Sequence, residues 1–263
     1  MTSAALAVGE RLPVADLELE VVRRGAGRPV VVLHGFQTVA ADAPFLDLLG
    51  RRAEIIAPSH PGFGASPRPP DFETVYDLAH LYLEMIEGLP HERVSLIGLS
   101  FGGWLAAEVA VKAGDRIDRL VLVDALGIKV SDRETPDILD VFNAHPRDVV
   151  RASWHAPEQW APRYDDMTDA ELARISRNWS ALCLYGWHPY MYNPRLSRWL
   201  RRIRRPTLVV WGDSDGIVAP SYGMAYARLI PGARFELIAR AGHHPEIEQP
   251  AAFAEAVGAF LDR

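Results

Sequence analysis

Short apolar runs alternate with helical patterns along most of this chain, and this alternation limits the fold more than any other sequence feature. Three segments, residues 74–87, 103–113 and 251–261, repeat apolar side chains at helical spacing. Around them lie six continuous apolar runs rich in β-branched residues: 29–33, 53–57, 94–98, 119–124, 206–212 and 234–238. Strands that are apolar throughout and alternate with helices predict an α/β fold with a mostly parallel sheet covered by helices on both faces.

Residues 17–22 have a different pattern from these runs. They alternate apolar and polar side chains, which is typical of a strand with one solvated face. We therefore predict that this segment is an antiparallel strand at the edge of the sheet.

Residues 125–200 interrupt the alternation, because they contain no convincing strand pattern. Five of the seven tryptophans fall here, and six prolines divide the segment into predicted short helices. Open α/β sheets bind ligands at the carboxyl ends of their strands. We therefore predict a helical cap of residues 125–200 over that edge, inserted after the strand that ends at Asp124, with residues 1–124 and 201–263 forming the core. An additional helical layer with an ordinary core is the alternative.

Charge and cysteine content argue against several classes of protein. The 263 residues include 28 basic and 34 acidic ones, a formal net charge of −6, so we expect no binding to nucleic acid or to a membrane. No apolar run approaches the ~18 residues of a membrane-spanning helix, and we expect no cleaved signal peptide, since the start lacks a basic region. The single cysteine, Cys183, allows no internal disulfide and is expected in the core. These features predict a cytoplasmic protein with neither a metal nor an organic cofactor, and they leave the oligomeric state open.

The strongest chemical signal is the sequence Gly98-Leu-Ser100-Phe-Gly102. It joins the predicted strand 94–98 to the predicted helix 103–113. A serine on such a tight turn points its hydroxyl outward from a strained backbone, and the flanking glycines avoid collisions with neighbouring atoms. We predict that Ser100 is a nucleophile; a serine that only caps the helix is the alternative.

The predicted nucleophile needs a neighbouring base, because a serine hydroxyl is a weak nucleophile at neutral pH. His243 follows the last predicted strand, and loops after strand ends reach the same edge of the sheet as Ser100. We therefore predict that His243 is the base. His244 is the alternative, and only one of the two should face the serine, since successive residues of an extended loop point in opposite directions.

A carboxylate must orient such a base and stabilise its imidazolium form. The loop after the strand 206–212 offers Asp213 and Asp215, and Asp124 ends the preceding strand. Asp215 lies further out on its loop, so it is our first candidate. Asp124 is the second, and Asp213 the third, since its carboxylate can instead bond the backbone of its own turn.

Backbone N–H groups are predicted to bind the oxyanion that forms during acyl transfer. One donor is the N–H of Phe101, the residue after the serine. The second is the N–H of Phe36 in the loop after the strand 29–33, where Gly35 permits a close approach of the backbone. His34 in the same loop is predicted to have a structural role.

The order Ser100, Asp215, His243 resembles that of the α/β-hydrolase fold superfamily. Further motifs resemble the same superfamily over about residues 17–261: His34-Gly35, Pro61-Gly-Phe-Gly-Ala-Ser66, Gly98-x-Ser100-x-Gly102, Trp211-Gly-x-x-Asp215 and Gly242-His243. The resemblance implies that Ser100 is the nucleophile, His243 the base and Asp215 the acid, and that residues 125–200 are the variable cap. Epoxide hydrolases and haloalkane dehalogenases of the superfamily have Asp in place of Ser100, which argues against both activities.

Among serine-dependent members, the chain is similar to carboxylesterases and to the carbon–carbon bond hydrolases of aromatic ring-fission products. The segment Met191-Tyr-Asn-Pro-Arg-Leu196 resembles the latter group. His244 stands where those enzymes usually have Trp, and Phe36-Gln-Thr38 replaces their Ser/Gly-rich loop. Ser59-His60 replaces the usual Asp before the Pro-Gly turn, so that His60 either faces the pocket or caps a turn.

The sequence thus predicts a serine hydrolase that cleaves an ester-type bond of a small, largely apolar substrate through an acyl-enzyme. One alternative is a carbon–carbon bond hydrolase of a vinylogous diketone, with Arg195 as the nearest candidate to bind a substrate carboxylate. A ligand-binding pseudoenzyme is the other. Three aromatic residues of the predicted cap, Trp154, Trp187 and Tyr190, are predicted to line the substrate pocket.

Overall fold

The computed structural model describes residues 10–132 and 134–262. Its strands span Glu10–Val14 (β1), Leu17–Arg24 (β2), Arg28–Leu33 (β3), Ala53–Pro58 (β4), Val94–Leu99 (β5), Ile117–Val123 (β6), Thr207–Gly212 (β7) and Arg234–Ile238 (β8). They form one sheet in the order β1-β2-β4-β3-β5-β6-β7-β8. The six predicted apolar strands are confirmed as β3 to β8, and every pairing among them is parallel.

The antiparallel end of the sheet differs from the prediction. Strand β2 is antiparallel as expected, but it lies between β4 and β1 and is therefore not the edge. The edge is β1, which pairs with β2 so that Leu12 lies opposite Leu19. Pro13 obscures β1 in the sequence, because proline has no N–H for a ladder and is tolerated only at edges and bulges.

Helices occupy Pro44–Gly50 (α1), Val75–Gly88 (α2), Phe101–Lys112 (α3), Pro146–Ser153 (α4), Pro157–Trp160 (α5), Asp169–Gly186 (α6), Leu196–Trp199 (α7), Pro220–Leu229 (α8), Pro245–Glu248 (α9) and Pro250–Leu261 (α10). The three predicted helices are confirmed as α2, α3 and α10, with ends within two residues. Helix α2 begins with a capping box, in which Thr74 and Asp77 each accept a hydrogen bond from the other's backbone N–H. Over the described ranges, no helix combines the length and the apolarity that a bilayer crossing needs.

The core lies on both faces of the sheet, because successive residues of a strand point to opposite sides. Along β3, Val31 and Leu33 pack in the cluster that includes α2, α3 and α8. Val30 and Val32 pack in the other cluster, with α1 and α10. This arrangement confirms the predicted α/β fold with helices on both faces.

The segment of residues 125–200, here called the insertion, connects β6 to β7 and contains α4 to α7. Pro146 and Pro157 occupy the first turns of α4 and α5, where their missing N–H costs nothing. Helix α6 is 18 residues long and contains no proline, so it exceeds the predicted short helices. Cys183 lies on α6 and is half-buried rather than in the core.

Candidate active site

Ser100 lies on the sharp turn between β5 and α3. Its backbone angles are φ 51° and ψ −114°, and its side chain makes no capping hydrogen bond to the helix. The alternative of a capping serine is therefore wrong. The turn is tightly packed: a β-carbon on Gly98 would collide with the carbonyl oxygen of Gly102, and one on Gly102 with those of Leu33 and His34. Glycine at both positions is thus required by sterics, as the sequence indicated.

The structure brings Ser100, His243 and Asp215 together at the carboxyl ends of the strands. Ser100 Oγ lies 2.7 Å from His243 Nε2, and His243 Nδ1 lies 2.8 Å from Asp215 Oδ2. All three residues are buried. Because Asp215 accepts the Nδ1–H proton, Nε2 is free to accept the hydroxyl proton of Ser100. Asp215 Oδ1 is itself fixed by the backbone N–H groups of Ile217 and Val218.

The alternative residues occupy other environments. The ring of His244 packs against Trp154 in a tilted arrangement, with centroids 4.5 Å apart. Asp213 accepts hydrogen bonds from the hydroxyl of Ser214 and the N–H of Ala241, as a turn residue does. Neither side chain is hydrogen-bonded to Ser100 or to His243 within the described part of the chain.

Asp124 is the nearest additional carboxyl group. It is fully buried, and its Oδ1 accepts a hydrogen bond of 2.9 Å from the N–H of Gly212. Burial and the nearby Asp215 carboxylate raise the pKa of Asp124 well above its usual range. One ligand atom each from Asp124, Asp215 and His243 lie within 4.8 Å of one another, a donor set that a metal ion accepts in principle. Since both ring nitrogens of His243 are already hydrogen-bonded, to Ser100 and to Asp215, a metal would have to break one of these two bonds.

The two predicted oxyanion donors flank the serine. Phe101 is the first residue of α3, so its N–H has no partner within the helix. Phe36 follows Gly35, where an added β-carbon would lie 3.0 Å from Ser100 Cβ. Among the described residues, neither N–H donates to a protein acceptor. The ring of Phe36 packs on Trp179 of α6, with centroids 4.1 Å apart.

His34 and His60 form a buried polar support behind this loop. Their rings stack at a centroid distance of 3.7 Å. The N–H of His60 donates to His34 Nε2, so that His34 Nδ1–H donates to the carbonyl of Gly35. In turn, His60 Nε2–H donates to the carbonyl of His34, and its Nδ1 accepts from the Tyr82 hydroxyl. His34 is structural, as predicted, and the ring of His60 belongs to the same buried network rather than capping a turn.

Burial keeps both histidines neutral. Desolvation lowers the pKa of His34 to about 3. Desolvation, together with repulsion by His34, also lowers the pKa of His60 well below its usual range. Each ring nitrogen of His60 and His34 therefore has one fixed donor or acceptor role.

Helix α4 of the insertion holds the loops that carry the acid and the base. The carbonyl of Ala152 accepts from the N–H of Gly216, at 2.9 Å, and the carbonyl of Ser153 accepts from the N–H of His243, at 2.8 Å. Gly242 permits this approach, because a β-carbon there would collide with the Ser153 carbonyl. Sequence reasoning missed this contact, since backbone carbonyls carry no residue-specific signal.

Helix α6 contacts the opposite side of the site. Asn178, which is fully buried, accepts from the N–H of Gly64 and donates to Gln37 Oε1 on the loop of Phe36. One turn earlier, Arg174 donates to both carboxylate oxygens of Glu20 and to the Thr38 hydroxyl. The residues around Asn178 in the sequence are largely polar, so its burial carried no local signal and sequence reasoning missed this contact.

The three aromatic residues that were predicted to line the substrate pocket lie in different surroundings. Trp154 lies beside the base loop, where it packs against His244. The Tyr190 hydroxyl is engaged within the insertion, where it donates to the carbonyl of Leu139. Trp187 is 59% exposed and packs on Phe142, also in the insertion.

Arg195 is exposed on the surface. Its N–H donates to Asn193 Oδ1, and Asn193 in turn donates to Glu108 on α3. Glu108 lies about two helical turns beyond Ser100, so the backbone of Arg195 is held near the far part of that helix.

The combination of fold and site defines a class of protein. The chain matches the model of the alpha/beta hydrolase family over residues 30–256, and it belongs to this family. It is therefore a hydrolase of the α/β type.

At 29% identity, over 99% of both chains, it is similar to a 2-hydroxy-6-oxo-2,4-heptadienoate hydrolase of Pseudomonas putida. At 28% identity, over 97% of this chain and 94% of the other, it is similar to a 2-hydroxymuconate semialdehyde hydrolase of a Pseudomonas species. Among solved structures, a thermophilic esterase from Thermogutta terrifontis has 26% identity and a TM-score of 0.76, covering 97% of this chain and 98% of that one.

Proposed function

We propose that this protein is a serine hydrolase that cleaves an ester-type bond of a small, largely apolar substrate. The observation that carries the proposal is the continuous hydrogen-bonded chain from Ser100 through His243 to Asp215, which begins at a serine held in a strained turn. A nucleophile, a base within hydrogen-bond reach and a carboxylate that orients the base are the parts that acyl transfer needs.

In the proposed reaction, Ser100 Oγ attacks the substrate carbonyl and its proton passes to His243 Nε2. The N–H groups of Phe36 and Phe101 bind the oxyanion of the tetrahedral intermediate. The bond to the leaving oxygen then breaks, and the alcohol takes the proton from His243. A water molecule next gives a proton to His243 and its hydroxide to the acyl carbon, and Ser100 regains its proton as the acid leaves.

A second candidate, cleavage of a carbon–carbon bond, is favoured by the relatives. The substrate for which one of them is named, a 2-hydroxy-6-oxo-2,4-heptadienoate, contains no ester, so its hydrolysis must break a carbon–carbon bond. It also carries a carboxylate, which needs a cationic partner in an apolar pocket. In this chain the guanidinium of Arg174 is engaged by Glu20 and Thr38, and the backbone of Arg195 is held near the far part of α3. We therefore place the ester first.

The proposal is tested by comparing p-nitrophenyl esters with a vinylogous diketone acid as substrates, followed by product analysis. Ester turnover should exceed diketone turnover in kcat/KM, and Ser100→Ala should reduce it by ~10⁶-fold, the scale seen for triad nucleophiles. Ser214→Ala is the matched control, since this serine lies on the acid loop and bonds Asp213 and His155. Faster turnover of the diketone would favour the second candidate.

A fluorophosphonate probe tests the remaining alternative of a ligand-binding pseudoenzyme. Rapid labelling of the wild type but not of Ser100→Ala would demonstrate an activated serine. Asp215→Asn should lower kcat by ~10⁴-fold through the wrong imidazole tautomer, whereas Asp213→Asn should have little effect. Slow labelling together with negligible turnover of every substrate would contradict the proposal.

A further inference from the structure

Asp124 occupies an unusual position beside the proposed catalytic residues. It follows β6 with a backbone φ of 43°, and its side chain is fully buried. One oxygen, Oδ1, accepts from the N–H of Gly212. The other, Oδ2, is buried without a conventional hydrogen-bond partner among the described residues. A buried carboxylate oxygen without a donor is costly, so this oxygen needs a different explanation.

The surroundings of Asp124 hold too much negative charge for it to be ionised. Asp215 and His243 both present polar atoms within 4.8 Å. Glu246 of α9, which is 5% exposed, adds a further repulsion. Two carboxyl groups that share a buried site do not both ionise readily. Asp215 is the one whose oxygens already accept two backbone N–H groups and the His243 Nδ1–H, so the charge belongs on Asp215.

We propose that Asp124 carries a proton on Oδ2 and donates it in a hydrogen bond to the Asp215 carboxylate, and that it thereby acts as a positioning residue for His243. The inference deepens the proposed function and rests on it. The buried, otherwise unpartnered Oδ2 and the closeness of the two carboxyl groups, each of which brings one oxygen within 4.8 Å of the other, support this assignment. The direction of the Asp124 pKa, which burial, the Asp215 charge and a hydrogen bond to Asp215 all raise, agrees with it.

The donated hydrogen bond has a defined effect on the base. It withdraws charge from Asp215, so Asp215 stabilises the His243 imidazolium less than a free carboxylate would. A base that is less readily protonated stays active to lower pH. Asp124 therefore extends the acidic limb of the kcat/KM profile toward lower pH.

Two substitutions distinguish a protonated Asp124 that donates to Asp215 from an ionised Asp124. Asp124→Asn keeps an acceptor for Gly212 and a donor for Asp215, so the midpoint of the acidic limb should stay near that of the wild type. Asp124→Ala removes the donor, and the midpoint should move to higher pH by about one unit, which corresponds to about 1.4 kcal/mol. If Asp124 were ionised, both substitutions would remove a negative charge and move the midpoint to lower pH. That outcome would overturn the proposal, as would an unchanged midpoint in Asp124→Ala.

An infrared difference spectrum tests the proton directly and does not depend on turnover. At neutral pH, the spectrum of the wild type minus that of Asp124→Asn should contain the C=O stretch of a protonated carboxyl group. Glu246→Gln is the matched control and should retain this band. Absence of the band from the wild type would refute the proposal even if the protein hydrolyses esters. If the wild type shows this band but reacts slowly with the fluorophosphonate probe and hydrolyses no substrate, the proposed function is contradicted and the protonation of Asp124 is not.

Discussion

Ser100 holds backbone angles that side-chain-bearing residues rarely adopt. A positive φ at a residue with a β-carbon costs about 1–3 kcal/mol, and such strain collects at functional sites. We predict that Ser100→Gly abolishes ester hydrolysis but raises the free energy of unfolding by about 1 kcal/mol, because glycine adopts this conformation without strain. Urea unfolding of the two proteins measures the difference. Ser100→Ala, which keeps a β-carbon, is the control and should not gain this stability.

His34 and His60 make stability depend on pH through their lowered pKa values. In the unfolded chain, histidine becomes protonated as the pH falls through ~6.5, whereas these two remain neutral in the fold. Their contribution to stability is therefore complete above this pH and is lost as the pH falls toward the folded value, which is about 3 for His34. For each pH unit by which the pH falls within that window, each histidine should lower the free energy of unfolding by about 1.4 kcal/mol.

The corresponding measurement is urea unfolding at several pH values between 5 and 8. His60→Gln should lower stability at pH 8 and should also reduce its pH dependence by about half, since one of the two histidines with a lowered pKa is gone. His80→Gln, at an exposed histidine of α2, serves as the control. An equal slope in the wild type and in His60→Gln would show that His60 is protonated in the folded protein.

At the scale of elements, helix α4 fixes the acid and base loops through two successive carbonyls, those of Ala152 and Ser153. Gly242→Ala would place a β-carbon against the Ser153 carbonyl and 2.8 Å from the Trp154 Cα. The two segments would have to separate, which displaces His243 from Ser100. We expect kcat/KM to fall by about 100-fold, the scale of a 1 Å misplacement, while the protein stays folded.

The control for this element is Gly88→Ala at the end of α2, where no atom lies within 4 Å of an added β-carbon. Steady-state kinetics and circular dichroism should show a change of activity only for Gly242→Ala. Full activity in Gly242→Ala would mean that the contact between α4 and the base loop does not position His243.

At the scale of the whole molecule, the insertion and the carboxyl edge of the sheet should enclose a mostly apolar pocket. Each buried CH₂ contributes about 0.8 kcal/mol, so lengthening the acyl chain from two to four carbons should raise kcat/KM roughly tenfold. A series of p-nitrophenyl esters measures this gain. Trp154→Ala should flatten the profile because Trp154 borders the base loop, and the exposed Trp187 provides the comparison. If acetate is the best substrate, the insertion does not select for chain length.

The parts of the molecule that could be predicted carry local signals. Continuous apolar runs identified β3 to β8, and glycines around Ser100 identified the turn that the structure contains. Asp215 and His243 could be proposed because each follows a recognisable strand. The missed parts depend on contacts between distant segments: the edge strand with Pro13, and the carbonyls of α4. No residue type encodes where a backbone carbonyl will meet a loop 60 to 90 residues later, so these contacts required the structure.

The two helices of the insertion that border the site are attached by different means. Helix α4 is joined to the Asp215 and His243 loops through main-chain atoms, whereas α6 is joined to the core through the side chains of Arg174 and Asn178. The main-chain bonds of α4 do not depend on which side chains Ala152 and Ser153 carry, but they allow no change in the length or course of the segment. The side-chain hydrogen bonds of α6 are lost when Arg174 or Asn178 is substituted. In directed evolution, libraries of substitutions in α6 should therefore change the access of substrates to the site. Insertions or deletions near α4 should inactivate the protein.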